Sequence, residues 1–279
     1  MQDINLRLNH FVNLDNYPIH EPESSAYESL IAEGHEMMGS HSICLLEGFL
    51  RPKAVEELNS EITALEQNAY NVEYLSTAYG WMNNSGFPDE HPRSQLFLRK
   101  CGVITTDQVP LHGACFELYK FDALTEFVRR LLKFKTLYRV DCPTLAIQIN
   151  VMDKDDNFGW HFDTNDGVVS FSIQNAENGG YFEYAPLIRS EEKENYSNVA
   201  QIMAGNEQPV RLDSPPGTFS LFLGRRSLHR VSEVDTTTKK RQSLLFSYDR
   251  EPGMVFPEKT QQRLTSKSSE PYLGQLTPT

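Results

Sequence analysis

The stretch Gly159-Trp160-His161-Phe162-Asp163-Thr164 constrains this chain most, because it sets an imidazole and a carboxylate two residues apart in a segment of extended character. On a strand, side chains two apart leave from the same face. A later strand signal, Pro216 to Gly224, is closed by Leu228-His229-Arg230-Val231, which makes a second imidazole available. Two histidines and one carboxylate brought together from different strands form a facial set of ligands, one that holds a ferrous ion on one side and leaves the opposite coordination positions open.

The rest of the composition narrows the setting for such a site. A chain of 279 residues fits one large domain, and hydrophobic and aromatic shares of 39% and 11% allow a sizeable core. The formal charge of −12 argues against a nucleic-acid partner or an anionic membrane surface. No stretch reads as a transmembrane span, and Met1 to Asn5 carry no basic region leading into an apolar run, so the expectation is a cytoplasmic protein. Cys44, Cys101, Cys115 and Cys142 form no CxxC pair and are expected to be reduced, buried thiols. A metal site must then come from histidines and carboxylates. No pattern fixes an oligomeric state.

Taken in order, the chain opens with a polar segment to about residue 40, with one short helix expected after Pro22-Glu23-Ser24, where Ser24 would cap it. His41 to Leu50 reads as a strand, and the segment after Pro52 as an amphipathic helix with Ala54, Leu58, Ile62 and Leu65 on one stripe. Between about Tyr70 and Lys100 the periodicity is lost, and aromatic residues are scattered among Gly, Asn and Pro. A long loop of that kind is expected to be a lid or binding loop. Asp122 begins a second amphipathic helix.

From Pro143 onward the signals are strands. Thr144 to Val151 alternates, with Gln148 and Asn150 on one face, and Gly167 to Ile173 follows. Gly179-Gly180 turns the chain into Tyr181 to Tyr184, a helix is expected over 190–204, and Arg241 to Tyr248 is the last strand. Beyond Pro252 the chain is polar and reads as a partly mobile tail. The expectation is a single domain over 1–279: a mostly helical part to residue 142, a double-stranded β-helix (jelly-roll, cupin-like) core over 143–250, and a polar tail over 251–279.

Arg241 lies twelve residues past His229, with Ser243 on the same face. A guanidinium inside a barrel needs an anionic partner, and this pair suits the distal carboxylate of a dicarboxylic cosubstrate. The order HxD, PGTFSLFLGRRSLHRV and RQS resembles the Fe(II)/2-oxoglutarate-dependent oxygenase superfamily over about residues 143–250, and Gly179-Gly180-Tyr181-Phe182 resembles a GG-containing strand common there. GWHFD, GGYFEYAPLIRS and SLHRV are similar to the branch that hydroxylates or halogenates free amino acids such as lysine.

The resemblance implies that His161, Asp163 and His229 bind Fe(II), and that Arg241 and Ser243, with Asn150 beside them, anchor 2-oxoglutarate. Oxidative decarboxylation by O2 would release succinate and CO2 and oxidise an unactivated C–H bond of a small amino-acid-like substrate. Halogenases of the resembling branch carry a small residue where Asp163 stands, so the carboxylate favours hydroxylation. Kainoid-type ring closure and desaturation keep the same triad. Arg93 matches the place where that branch meets a substrate carboxylate, and it reads equally as a surface arginine. Trp160 and Phe158 fit a pocket wall or core packing, and Gln148 and Asn150 fit ligand contact or backbone pairing. Arg189, Arg225, Arg226 and Arg230 read as solvated charges; one of them facing inward would favour a polyanionic substrate. A metal-binding jelly roll that senses a ligand without turnover, and a hydrolytic site using zinc-bound water, could use the same ligands. Arg241 counts against the hydrolase, which needs no dicarboxylate.

Overall fold

Alternation of apolar and polar residues after Pro143 folds into strands whose two faces meet different surroundings. The computed structural model describes residues 2–273. In chain order the elements are α1 (Gln2–Phe11), α2 (Ser25–His41), β1 (Ile43–Leu46), α3 (Pro52–Leu65), β2 (Tyr70–Thr77), β3 (Leu96–Thr105), α4 (Ala114–Lys120), α5 (Asp122–Leu131) and β4 (Tyr138–Arg139). They continue with β5 (Ile147–Met152), β6 (Asn157–His161), β7 (Val168–Gln174), β8 (Phe182–Ala185), α6 (Tyr196–Met203), β9 (Val210–Leu212), β10 (Phe219–Phe222), β11 (Leu228–Val231), β12 (Arg241–Phe246), β13 (Tyr248–Asp249) and α7 (Glu258–Arg263).

The strands run β1-β10-β7-β12-β5-β3-β6-β11-β8-β9, with β2 paired to β3. Consecutive strands fall in opposite halves of this order: β5 with β6, β7 with β8, β9 with β10, and β11 with β12. The chain thus winds back and forth between two sheets, which makes the fold a mainly antiparallel double-stranded β-helix with flanking helices. β3 joins the halves, pairing with β5 through Gly102 to Thr105 and with β6 through Arg99 and Lys100.

Helices α1 to α5 cover one face of the first half. Ile147, Ile149, Val169, Phe171, Phe219 and Leu244 point into that contact and are buried with Phe49, Leu58, Leu124 and Phe127 from the helical side. Ser24 caps α2, accepting from the Tyr27 amide at 3.1 Å, but the helix runs seventeen residues to His41 rather than being short. Its length follows from a buried stripe of Tyr27, Leu30, Ile31, Gly34 and Met38, and it leaves only Ile43 to Leu46 for the strand expected over 41–50.

Three further expectations are corrected. The loop expected over 70–100 is largely a hairpin: Tyr70 to Thr77 pairs residue by residue with Leu96 to Val103, leaving only 78–95 as the connection. The helix expected over 190–204 is confined to Tyr196–Met203, after an Asn195 in left-handed conformation. The polar tail carries α7 and then lies along β2, where Ser268 and Tyr272 amides donate to Glu73 and Leu75 carbonyls at 2.8 and 2.7 Å. Residues 274–279 of that tail fall outside the described residues. All four cysteines are buried and free, and no helix among the described residues is long and apolar enough to cross a membrane.

Candidate metal centre and flanking cavities

His161 ends β6 and His229 sits in β11, and the antiparallel register sets them directly opposite each other. The pairing Val231 with Phe158 and His229 with His161 leaves Gly159 and Trp160 facing Arg230 alone, a β-bulge. This extra residue turns Phe158 and His161 to one face although they are three apart, and their rings stack at 3.8 Å and 8°. Trp160 is turned the other way, into a cluster with Tyr79, Phe162 and Leu228, with Arg230 over its ring. A side chain at position 159 would meet the Phe97 Cβ at 2.5 Å, so the bulge needs glycine there.

Asp163 follows β6 and is fixed by its amide, which donates to the Gly224 carbonyl at 3.1 Å. A Cβ on Gly224 would fall 1.8 Å from the Asp163 carboxylate, so the glycine is the space the carboxylate occupies. The ligand atoms of His161, Asp163 and His229 lie within 4.8 Å of one another. Asp163 Oδ1 is 3.8 Å from His161 Nε2 and 3.5 Å from His229 Nε2. Each imidazole directs Nδ1 at a backbone oxygen two residues before it, Gly159 and Ser227, both at 2.9 Å. Donation from Nδ1–H leaves both Nε2 lone pairs turned to the common point, the tautomer a metal ligand needs.

Electrostatics favour the ligating forms. Burial, helped by the neighbouring His229, holds the His161 imidazole well below its usual range and hence neutral. For Asp163 burial acts upward, but His229 and His161 outweigh it and the carboxyl stays below its ordinary value. The donor set of two imidazoles and one carboxylate fits a divalent first-row ion with open positions.

Two cavities meet at these residues. The inner one, of about 130 Å³, runs between the sheets and is lined by Ser170, Ser172, Ser220, Phe222, Arg241 and Ser243 among others. Arg241 donates to Ser243 Oγ at 2.7 Å, Ser243 pairs in register with Asn150, and burial pushes the guanidinium down to about 10. Among the described residues the one carboxylate lining this cavity is Asp163. The outer cavity, of about 200 Å³, opens at the mouth and includes Tyr74, Trp81, Arg99, Gln148, Trp160 and Arg263. Asn150, Phe158, His161 and Asp163 line both, and Gln148 donates to Asn150 Oδ1 at 2.7 Å.

Nine of the ten predicted site residues therefore border these cavities. Arg93 does not: its guanidinium donates to Asn84 Oδ1 at 2.9 Å and to the Asn83 carbonyl and lies over Phe87, holding the 78–95 connection together. One of the arginines expected in solvent also differs. Arg189 faces inward among Tyr79, Trp81 and Phe162, with its charge met by Glu194 at 2.9 Å. Arg230 pairs with Glu183 at 2.7 Å. Arg225 and Arg226 are exposed. Sequence reasoning missed Arg99 and Arg263; the signal for Arg99 was its period-two phase with Cys101 and Val103, a buried face.

No protein-family model and no curated protein sequence matches this chain. Solved structures do. An oxidoreductase of the 2OG-Fe(II) oxygenase family from Burkholderia pseudomallei aligns with a TM-score of 0.50 at 18% identity, covering 80% of this chain and 92% of its own. The non-heme alpha ketoglutarate dependent epimerase SnoN from nogalamycin biosynthesis aligns with a TM-score of 0.53 at 11% identity, covering 80% and 83%. The carbocyclase SnoK from the same biosynthesis, also non-heme and alpha ketoglutarate dependent, gives 0.51 at 11% identity, covering 86% and 94%. At these identities the likeness is one of fold: this chain has the double-stranded β-helix fold of a 2OG-Fe(II) oxygenase and of two alpha ketoglutarate dependent enzymes.

Proposed function

We propose that this protein is an Fe(II)- and 2-oxoglutarate-dependent dioxygenase that oxidises an unactivated C–H bond of a small amino-acid-like substrate, with hydroxylation as the outcome. The observation that carries the reading is the pairing of one metal-ligating triad with a buried arginine that makes no ion pair in the adjoining inner cavity. His161 Nε2, His229 Nε2 and an Asp163 oxygen would hold the ion from one side. Arg241 with Ser243 would take the distal carboxylate of 2-oxoglutarate, and Asn150, at the junction of the cavities, would border its other end. When bound, iron and 2-oxoglutarate supply with O2 the oxidising power, releasing succinate and CO2.

The chain's own contribution is orientation and exclusion of water. The Gly159 and Ser227 carbonyls fix the imidazole tautomers, and Phe158, stacked on His161, would shield that ligand from water. Gln148, Trp160 and Phe158 would wall the substrate at the mouth. Asp163 favours hydroxylation over halogenation, since its carboxylate fills the position a halide would need. Ring closure, the chemistry named for the carbocyclase neighbour, is the second reading; the same triad would serve it.

Anaerobic addition of Fe(II) and 2-oxoglutarate should produce the weak visible charge-transfer band of the chelate, and admission of O2 with substrate should yield succinate. Product mass then separates oxygen insertion from loss of two hydrogens. Metal binding without that band would sink the oxygenase reading in favour of a ligand-sensing jelly roll. In Asp163→Gly, hydroxylation should be lost with some chloride incorporation.

A further inference from the structure

The chain carries a net charge of −12, and most of its partly buried arginines are met by an acid. Arg129 pairs with Glu126, Arg130 with Glu28, Arg139 with Asp122, Arg189 with Glu194 and Arg230 with Glu183. The mouth cavity breaks this rule twice. Arg99 is 5% exposed; among the described residues no carboxylate comes within ion-pair distance of it, and the one acid that feels its charge is Asp163. It reaches Asn150 Oδ1 with one long donation of 3.5 Å, and its Nε has no partner among the described residues. Arg263, the last residue of α7, lies against the rings of Tyr74 and Tyr272 at 5.6 and 4.7 Å, and its Nε is likewise buried without a partner. Tyr74 sits opposite Arg99 in the β2–β3 register, so both guanidinium groups flank one tyrosine. Among the described residues the single carboxylate lining this cavity is Asp163, which faces the metal position.

A buried cation without an anion is costly to keep, and donors left over in a ligand cavity are completed by the ligand. We infer that the mouth cavity receives an anionic, acidic amino-acid-like substrate, with one acid group held by Arg99 and a second by Arg263, and that it rejects a cationic substrate such as lysine. The inference rests on the oxygenase reading of the same site and narrows its substrate class. Charge decides it: an extra ammonium would find hydroxyls and amides in the cavity but no free carboxylate, whereas each acid would find a guanidinium. The stack decides the reach. Arg99 lies 3.8 Å from the Phe158 centroid on one face and His161 lies 3.8 Å from it on the other. An acid on Arg99 therefore stands two stacking distances from a metal ligand, room for a short carbon chain between the acid and the carbon oxidised.

The test uses the full chain loaded anaerobically with Fe(II) and saturating 2-oxoglutarate, titrated with three amino acids of equal carbon count: L-2-aminoadipate, L-norleucine and L-lysine. The perturbation of the chelate band reads binding without turnover. Aminoadipate should bind at least about tenfold tighter than norleucine, with lysine weakest, the scale of a charge-assisted contact in a closed site. Arg99→Met should remove that preference while 2-oxoglutarate affinity holds within about twofold. Arg263→Gln, at a less buried position, should reduce the preference about threefold and keeps the test standing if the Arg99 variant does not fold. Lysine or norleucine binding as tightly as aminoadipate overturns the inference, as does no perturbation by any of the three. A loss of 2-oxoglutarate affinity in Arg99→Met overturns it too, since Arg99 would then serve the cosubstrate. No band in the unmodified protein overturns the oxygenase reading and this inference with it; a band without acid preference overturns this inference alone.

Discussion

Strands β5, β7, β10 and β12 carry two unlike surfaces on opposite sides of one sheet. Toward the helices they present Ile147, Ile149, Phe171, Phe219, Leu221 and Leu244, each fully buried. Toward the interior they present Gln148, Asn150, Ser170, Ser172, Ser220, Arg241 and Ser243, which line the cavities. The first surface removes apolar area from water, at roughly 25 cal/mol per Å², and is where stability resides. The second gives up that gain to keep donors and acceptors around a ligand. Its hydroxyls satisfy one another where they can, as Ser170 and Ser220 do at 2.7 Å. One residue of shift in any strand would exchange the two sets, so register and function are specified together.

Substitutions on the two surfaces should therefore separate cleanly. The largest effect belongs to His229→Ala, which should abolish iron binding and lower turnover at least about a thousandfold, while the melting temperature of the metal-free protein barely moves. A metal titration and a melting curve on one sample check both halves. Phe171→Ala, on the helix side, should do the reverse. A buried Phe lost from a packed core costs about 3–5 kcal/mol, a drop of roughly 6–20 °C in Tm for a domain of this size. At a temperature where it is folded, its 2-oxoglutarate affinity should match the parent's within about twofold. If that affinity fell in step with stability, the two surfaces would not be independent.

Arg241→Ala comes next, weakening 2-oxoglutarate by about 10–100-fold with turnover partly restored by excess cosubstrate. Titrating the visible band gives the number directly. Smallest is Ser170→Ala, which removes half of one hydroxyl pair. It should cost no more than about 1 kcal/mol and shift 2-oxoglutarate affinity less than about threefold. A larger change in affinity would place this serine in ligand contact.

The same division explains what could be read without coordinates. Period-two alternation made β5, β7 and β12 legible, and with them the inward set of Gln148, Asn150, Arg241 and Ser243. The triad was legible because His161 and Asp163 keep that period past the end of β6. What escaped depended on partners distant in sequence. Tyr70 to Thr77 alternates too, but the Gly, Asn and Pro of 80–92 hid its pairing with β3. Arg99 keeps the strand phase of a buried face, but that no acid pairs with it is visible only in the folded chain. Arg93 gave no sign in the sequence that Asn83 and Asn84 hold its guanidinium. The bulge that aligns Phe158 with His161 leaves no mark except Gly159.

The tail along β2 bears on how the protein behaves in concentrated solution. Its bridges, Glu73 with Lys267 and Ser76 with Tyr272, occupy the outer edge of a hairpin that the sheet leaves otherwise unpaired. An open edge recruits strands from other chains, so these few polar residues act as a guard against self-association. A chain cut before Lys267 would bare that edge and, with it, a template for aggregation, long before its core lost any stability.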